Sequence, residues 1–128
     1  MTGVTLVYDD DCGFCTWAAR HVAADSDVEI VGFSAVDPDL AARLPEDYRE
    51  CAHLLDGDRR WSCGAALEEA ALRTHTGSPL RRPVTWLRRF DAYVRLREWV
   101  YRWIAAHRPE LSRLVSSRPP AREDGDRP

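Results

Sequence analysis

The chain opens with a short apolar run, Thr2 to Tyr8, that stops at three consecutive aspartates, Asp9, Asp10 and Asp11. That pattern predicts a strand followed by a polar loop. From Cys12 to Ala24 the apolar residues Trp17, Ala18 and Val22 return on one side, which predicts a helix. Val28 to Phe33 reads as a second strand, and Asp37 to Leu44 as a short helix with Pro38 in its first turn. Glu50 to Leu55 reads as a third strand, Asp56-Gly57-Asp58 as a hairpin turn and Arg59 to Ser62 as a fourth strand. Ala65 to Thr74 then predicts a helix, ended by Gly77 and Pro79.

The sum is an α/β order, βαβα-ββα: a parallel strand-helix-strand unit, then a hairpin and a helix. Beyond residue 80 the period changes. Pro83 can open a helix, and Trp86, Phe90, Tyr93, Leu96, Val100 and Trp103 recur every three or four residues with arginines between them. Such a stripe wants an apolar partner, and packing onto the α/β core is the expectation. Asp91 is placed as the cap of a helix ending near His107, because Pro109 disfavours its continuation through Arg108. The expected organisation is a core over residues 1–80, an Arg/Trp-rich helical extension over 81–115 packed on it, and a disordered tail over 116–128 rich in Pro, Ser and charge.

Charge sharpens that division. Residues 1–80 hold 6 Arg against 15 Asp and Glu, whereas residues 81–118 hold 10 Arg against 3 acids. Two oppositely charged parts can dock on each other without any outside partner. The alternative for the extension is an acidic membrane surface or a partner gripped by aromatic and Arg anchors. An acidic chain, net −3 overall, argues against nucleic acid. All 18 basic residues are Arg, a bias of the genome rather than of a site. The N-terminus has no basic region followed by a long apolar run, as a secretory signal would, and no stretch approaches roughly 20 uninterrupted apolar residues. The expectation is a cytoplasmic protein in which the four cysteines do not form a permanent disulfide framework.

The chemistry is concentrated in Cys12-Gly13-Phe14-Cys15, at the predicted junction of strand and helix. A thiol attacks a disulfide as a thiolate, and the partial positive charge of a helix N-terminus stabilises that anion. Cys12 is therefore the expected nucleophile and Cys15 the resolving thiol. Gly13 permits a tight turn and close approach of substrate, and Phe14 offers an apolar wall beside the sulfur. Asp9, at the end of the first strand, is the candidate for moving the proton released when Cys15 attacks a mixed disulfide. Asp10 and Asp11 read as solvated loop charges or caps. Antiparallel pairing would bring the start of the third strand beside the end of the first, so Cys51 lies about 4.8 Å away, one strand over, and Cys63 two strands over. Cys51 joins Gly13 and Phe14 as a substrate-contacting position. The competing reading is a non-catalytic zinc-binding or interaction module with structural cysteines. Cys51 and Cys63 are 12 apart, however, rather than a second closely spaced pair. His53 reads as a satisfied core or surface histidine. With no Gly-x-Gly-x-x-Gly fingerprint, no organic cofactor is expected, and electrons would come from a cellular thiol reductant.

Asp9-Asp10-Asp11-Cys12-Gly13-Phe14-Cys15 and the strand before it, Val4-Thr5-Leu6-Val7-Tyr8, resemble the opening of the DCC family of thiol–disulfide oxidoreductases, which is related to the DUF393 domain. Trp61-Ser62-Cys63-Gly64-Ala65-Ala66 is similar to the family's small-residue helix start, and Val100 to Arg108 to its closing Tyr, Ala and Arg pattern. The resemblance covers roughly residues 4–114. It implies a thioredoxin-like fold, thiol–disulfide exchange with a disulfide-containing protein or small thiol as substrate, and a redox pair at Cys12 and Cys15. Asp10 stands where the family often has glycine.

Overall fold

A computed structural model describes residues 3–115. The expected tail over 116–128 lies outside the described residues. Four strands form one sheet in the order β2-β1-β3-β4, with β1 Val4–Tyr8, β2 Glu29–Gly32, β3 His53–Asp56 and β4 Arg59–Ser62. β2 pairs parallel to β1, while β3 pairs antiparallel to both β1 and β4. With α1 Gly13–Ala24, α2 Pro38–Ala41 and α3 Gly64–Leu72 in the connections, this is the thioredoxin-like arrangement implied by the sequence.

The central position of β1 explains its nearly unbroken apolar sequence: both of its faces are covered. Leu6 and its cross-strand partner Leu54 face α1 and α3, in a core with Val4, Tyr8, Ala19, Ala66 and Ala70. Val7 and Leu55 face the other side, where Phe33 and Leu44 meet them. Burying side chains such as Leu6 and Leu54 stabilises by roughly 1.5–3 kcal/mol each. α2 is shorter than its apolar pattern suggested. Asp37 caps it through Leu40 N–H at 2.8 Å, but beyond Ala41 only single turns continue to the buried Leu44.

β3 also begins later than expected. Tyr48–Glu50 forms a tight 3₁₀ turn, and the last pair with β1 is Val7 with His53. Ahead of it, Ala52 donates its N–H to the Tyr101 hydroxyl at 3.2 Å rather than to a strand, which releases Cys51 from the sheet.

The extension consists of α4 Arg81–Leu87, α5 Asp91–Ala106 and α6 Arg108–Leu114. α5 stops before Pro109 as the sequence required, yet the chain is helical again at once, because a proline in the first turn forfeits only an N–H that has no helical partner there. The extension meets the core through its other face. Buried Glu69 of α3 receives Arg73, Arg81 and Arg88, at 3.0, 2.9 and 3.0 Å. Neighbouring Glu68 receives Arg88 at 2.5 Å, Arg97 at 3.2 Å and the Tyr93 hydroxyl. Glu69 thus ties α3 to the start of the extension, while Glu68 reaches α5 on the face that carries Tyr93 and Arg97. The expectation that the apolar stripe packs on the core holds only at Tyr93, which turns inward to Glu68: Trp86, Phe90, Leu96, Val100 and Trp103 are exposed, as is Trp99. A helical period shows that a face is apolar; it does not show that a carboxylate such as Glu68 will draw the face bearing Tyr93 and Arg97 inward.

Asp10 corrects a second expectation. It is not a solvated loop charge but is 3 % exposed, accepting hydrogen bonds from the Ser34 backbone N–H at 3.2 Å and from its hydroxyl. Its carboxylate lies directly over Gly32, where an added Cβ would stand 2.2 Å from Oδ2. Gly32→Ala is therefore expected to destabilise the protein by about 1–3 kcal/mol, the usual cost of overpacking, read as a lower urea midpoint.

Candidate active site

Cys12 is the N-cap of α1, with extended backbone (φ −118°, ψ 121°), and its Sγ accepts the N–H of Cys15 at 3.2 Å. A sulfur in the capping position faces N–H groups that the helix leaves unpaired, an arrangement that favours the anion. The hydrogen bonds from Cys15, side chain first, outweigh the opposing effect of burial and, helped by the charge of Arg108, bring the Cys12 thiol down to about 6. Cys15 responds in the opposite sense. Its hydrogen bond to Cys12, its burial and the charge on Cys12 all hold its proton in place. Two cysteines one helical turn apart are thus divided into a ready thiolate and a retained thiol. Both are free, Cys12 buried and Cys15 half-buried.

Three side chains from the rest of the chain complete the surroundings. Asp9 accepts Arg108 Nη1 at 2.6 Å on one oxygen and the Asp11 N–H at 3.0 Å on the other. The same Arg108 nitrogen lies 4.0 Å from Cys15 Sγ. Ser112 Oγ accepts the Phe14 N–H at 3.1 Å, so α6 covers the first turn of α1. Arg108 and Ser112 were not singled out from the sequence, because they follow Cys15 by more than ninety residues. The only signal was the arginine that closes the resembled pattern.

Beside Cys15 lies a cavity of about 250 Å³ lined by Cys15, Phe14, Asp9, Cys51, Tyr101 and Arg108 over an apolar floor that includes Leu6, Ala19 and Ala70; Cys12 is not among its lining residues. Phe14, Asp9 and Cys51 therefore meet at one cavity with Cys15. Gly13 is buried at the first residue of α1 and is not among the cavity's lining residues. His53 is a satisfied core residue: its ring nitrogens meet Ser62 Oγ at 2.8 Å and the Tyr48 carbonyl at 3.0 Å, and burial lowers its pKa.

Cys51 and Cys63 form a disulfide. The sequence did not pair these two cysteines, and the bond removes two sulfurs from the zinc alternative. The sequence hid the pairing because a separation of 12 says nothing until the hairpin brings the two ends together.

A family model of DCC1-like thiol-disulfide oxidoreductases matches residues 6–114. The chain belongs to this family. No curated protein and no solved structure matches it. Membership in the DCC1-like family implies a thiol–disulfide oxidoreductase, and the match runs through α6, so Arg108 and Ser112 fall within the matched region. Among the described residues of this DCC1-like chain no helix is long and apolar enough to cross a membrane.

Proposed function

We propose that the protein is a dithiol–disulfide oxidoreductase in which Cys12 attacks and Cys15 resolves. The observation that carries this reading is the opposite perturbation of two cysteines that share one hydrogen-bonded turn. The Cys12 thiolate attacks a substrate disulfide, forming a mixed disulfide and expelling one substrate thiolate, which takes up a proton. Cys15 then loses its proton and attacks Cys12 Sγ. That step releases the second substrate thiol and leaves a Cys12–Cys15 disulfide, so two electrons have passed to the substrate. Asp9, on the same cavity wall as Cys15, is the base for that second proton, and Arg108 holds its carboxylate in place. Phe14 and Cys51 line the space in which part of the substrate would sit, while Gly13 serves the turn. A cellular thiol returns the pair to the dithiol in a cytoplasmic setting. Substrates are disulfide-bearing proteins or small disulfides.

The test is a titration of purified protein in glutathione buffers, followed by alkylation and mass mapping. A reversible two-electron Cys12–Cys15 couple is the expected result; thiols that stay apart under every buffer would end the reading.

Arg108→Met provides a second check. The variant removes a positive charge beside both sulfurs and leaves Asp9 unpaired near the thiolate, and both changes raise the Cys12 pKa. Wild-type alkylation at Cys12 should titrate with a midpoint of about 6. The variant's midpoint should lie higher by about one unit, which at pH 5 means about tenfold slower alkylation. Asp9→Asn should move the midpoint the other way.

A further inference from the structure

We propose that the Cys51–Cys63 disulfide is a second redox-active centre, opened by a small thiol bearing carboxylate groups that enters through a groove between the hairpin and α5. Four observations support this.

The first is its redundancy as a staple. A crosslink stabilises most when it closes a long, otherwise open loop. This one joins two residues already brought together by the β3–β4 hairpin: His53 pairs with Ser62, and the Cys63 N–H bonds to the Ala52 carbonyl at 2.8 Å. The second is backbone strain. Cys63 has φ 57° and ψ −126° and is the one non-glycine residue with positive φ among the described residues. Such conformations persist where the surroundings impose them, and they concentrate at functional sites.

The third is access. Cys51 and Cys63 are only partly buried, and both line an open groove with Leu96 and Trp99 on its α5 wall. The fourth is charge. Arg95 and Arg102 stand on that same wall, are exposed, and have no ion-pair partner among the described residues. The groove is also lined by Asp47, Glu50 and Glu98, the last already paired with Arg97, and the two free guanidinium groups are the positions at which the carboxylates of an anionic thiol can pair.

The exchange balances with two equivalents of such a thiol. The first, as its thiolate, attacks one protein sulfur, forms a mixed disulfide and releases the other cysteine as a thiolate. The second attacks the mixed disulfide, freeing the remaining cysteine and leaving as the oxidised dimer of the small thiol. Two electrons enter the protein, and the two protons from the donor thiols end on Cys51 and Cys63. When the bond opens, the two ends stay anchored to α5. Ala52, which follows Cys51, is held by Tyr101, and Gly64, which follows Cys63, donates its N–H to Glu98 at 3.0 Å.

This centre is independent of the Cys12–Cys15 reading, and the experiment keeps the two apart. The Cys12→Ser/Cys15→Ser protein is equilibrated in glutathione buffers under native conditions, and Cys51 and Cys63 are mapped by alkylation and mass spectrometry; the same mapping on wild-type protein covers a double variant that fails to fold. The expected result is a reversible two-electron couple with the circular dichroism of the folded protein retained. Arg95→Glu/Arg102→Glu should slow opening by glutathione about tenfold while leaving opening by uncharged dithiothreitol unchanged. A disulfide that stays closed in excess glutathione until denaturant is added would make it a structural staple and overturn the proposal. Equal slowing of both reductants, or of neither, would overturn the assignment of the arginines.

Discussion

Cys12→Ser is expected to reduce disulfide exchange by a factor on the order of 10³ or more, because the hydroxyl that replaces the thiol is not ionised near neutral pH and no other free sulfur is poised as a thiolate. Cys15→Ser should behave differently. Cys12 keeps its capping position and the N–H of residue 15, so attack continues, but nothing resolves the product and a mixed disulfide accumulates at Cys12. Intact-mass measurement after incubation with glutathione disulfide separates the two: one adduct on the Cys15→Ser protein, none on Cys12→Ser in a background where Cys51 and Cys63 are also serine. Equal adducts on both would mean that the attacking sulfur has been misassigned.

The largest expected effect on stability is at Glu69. Its side chain is 2 % exposed and receives three arginines that tie the end of α3 and the start of the extension together. Glu69→Gln keeps the shape and removes the charge, leaving those guanidinium groups without their common partner. Breaking a buried pair costs about 3–5 kcal/mol, and the lower end is expected here because the arginines are themselves between 22 % and 44 % exposed. Burial opposes the charged form of Glu69, but hydrogen bonds from Arg81 and Arg88 and the charges around them prevail, so its pKa falls below the ordinary 4.5. The unfolded chain then takes up a proton there before the folded one does. Stability from this group is complete above about pH 4.5 and fades as acid carries the folded protein through its lower pKa. Urea unfolding at pH 7 and pH 3, followed by circular dichroism, should show a smaller acid loss in Glu69→Gln than in the wild type.

The parts of this molecule that were legible in its sequence are those governed by local pattern. The apolar run ending in aspartates, the Cys-x-x-Cys at a helix start and the Asp56-Gly57-Asp58 turn each encode their own geometry, and together they ordered the elements of the α/β core. What could not be read depended on which of two chemically similar options a distant residue selects. Three adjacent aspartates look alike in sequence, yet Asp9 pairs with Arg108, Asp10 is buried against Ser34, and Asp11 stays exposed. Likewise α5 has two faces able to cover a core, and the one turned inward carries Arg97 and Tyr93, which meet Glu68 of another helix. The Cys51–Cys63 bond depends on the β3–β4 pairing that sets the two residues side by side, and at the start of β3 the Ala52 N–H goes to Tyr101, 49 residues further along the chain.

The burial of Asp10 over Gly32 also limits how this chain can have changed through its descent. The carboxylate occupies the volume of a Cβ at position 32, so an acid at one position requires the absence of a side chain at the other. A lineage that exchanged Asp10 for glycine would empty that volume and free position 32 to accept alanine or serine. In the reverse direction the glycine at 32 must come first, since an aspartate arriving at 10 above any larger residue would meet a steric clash. The two positions, 22 residues apart in sequence, are expected to have substituted in a fixed order.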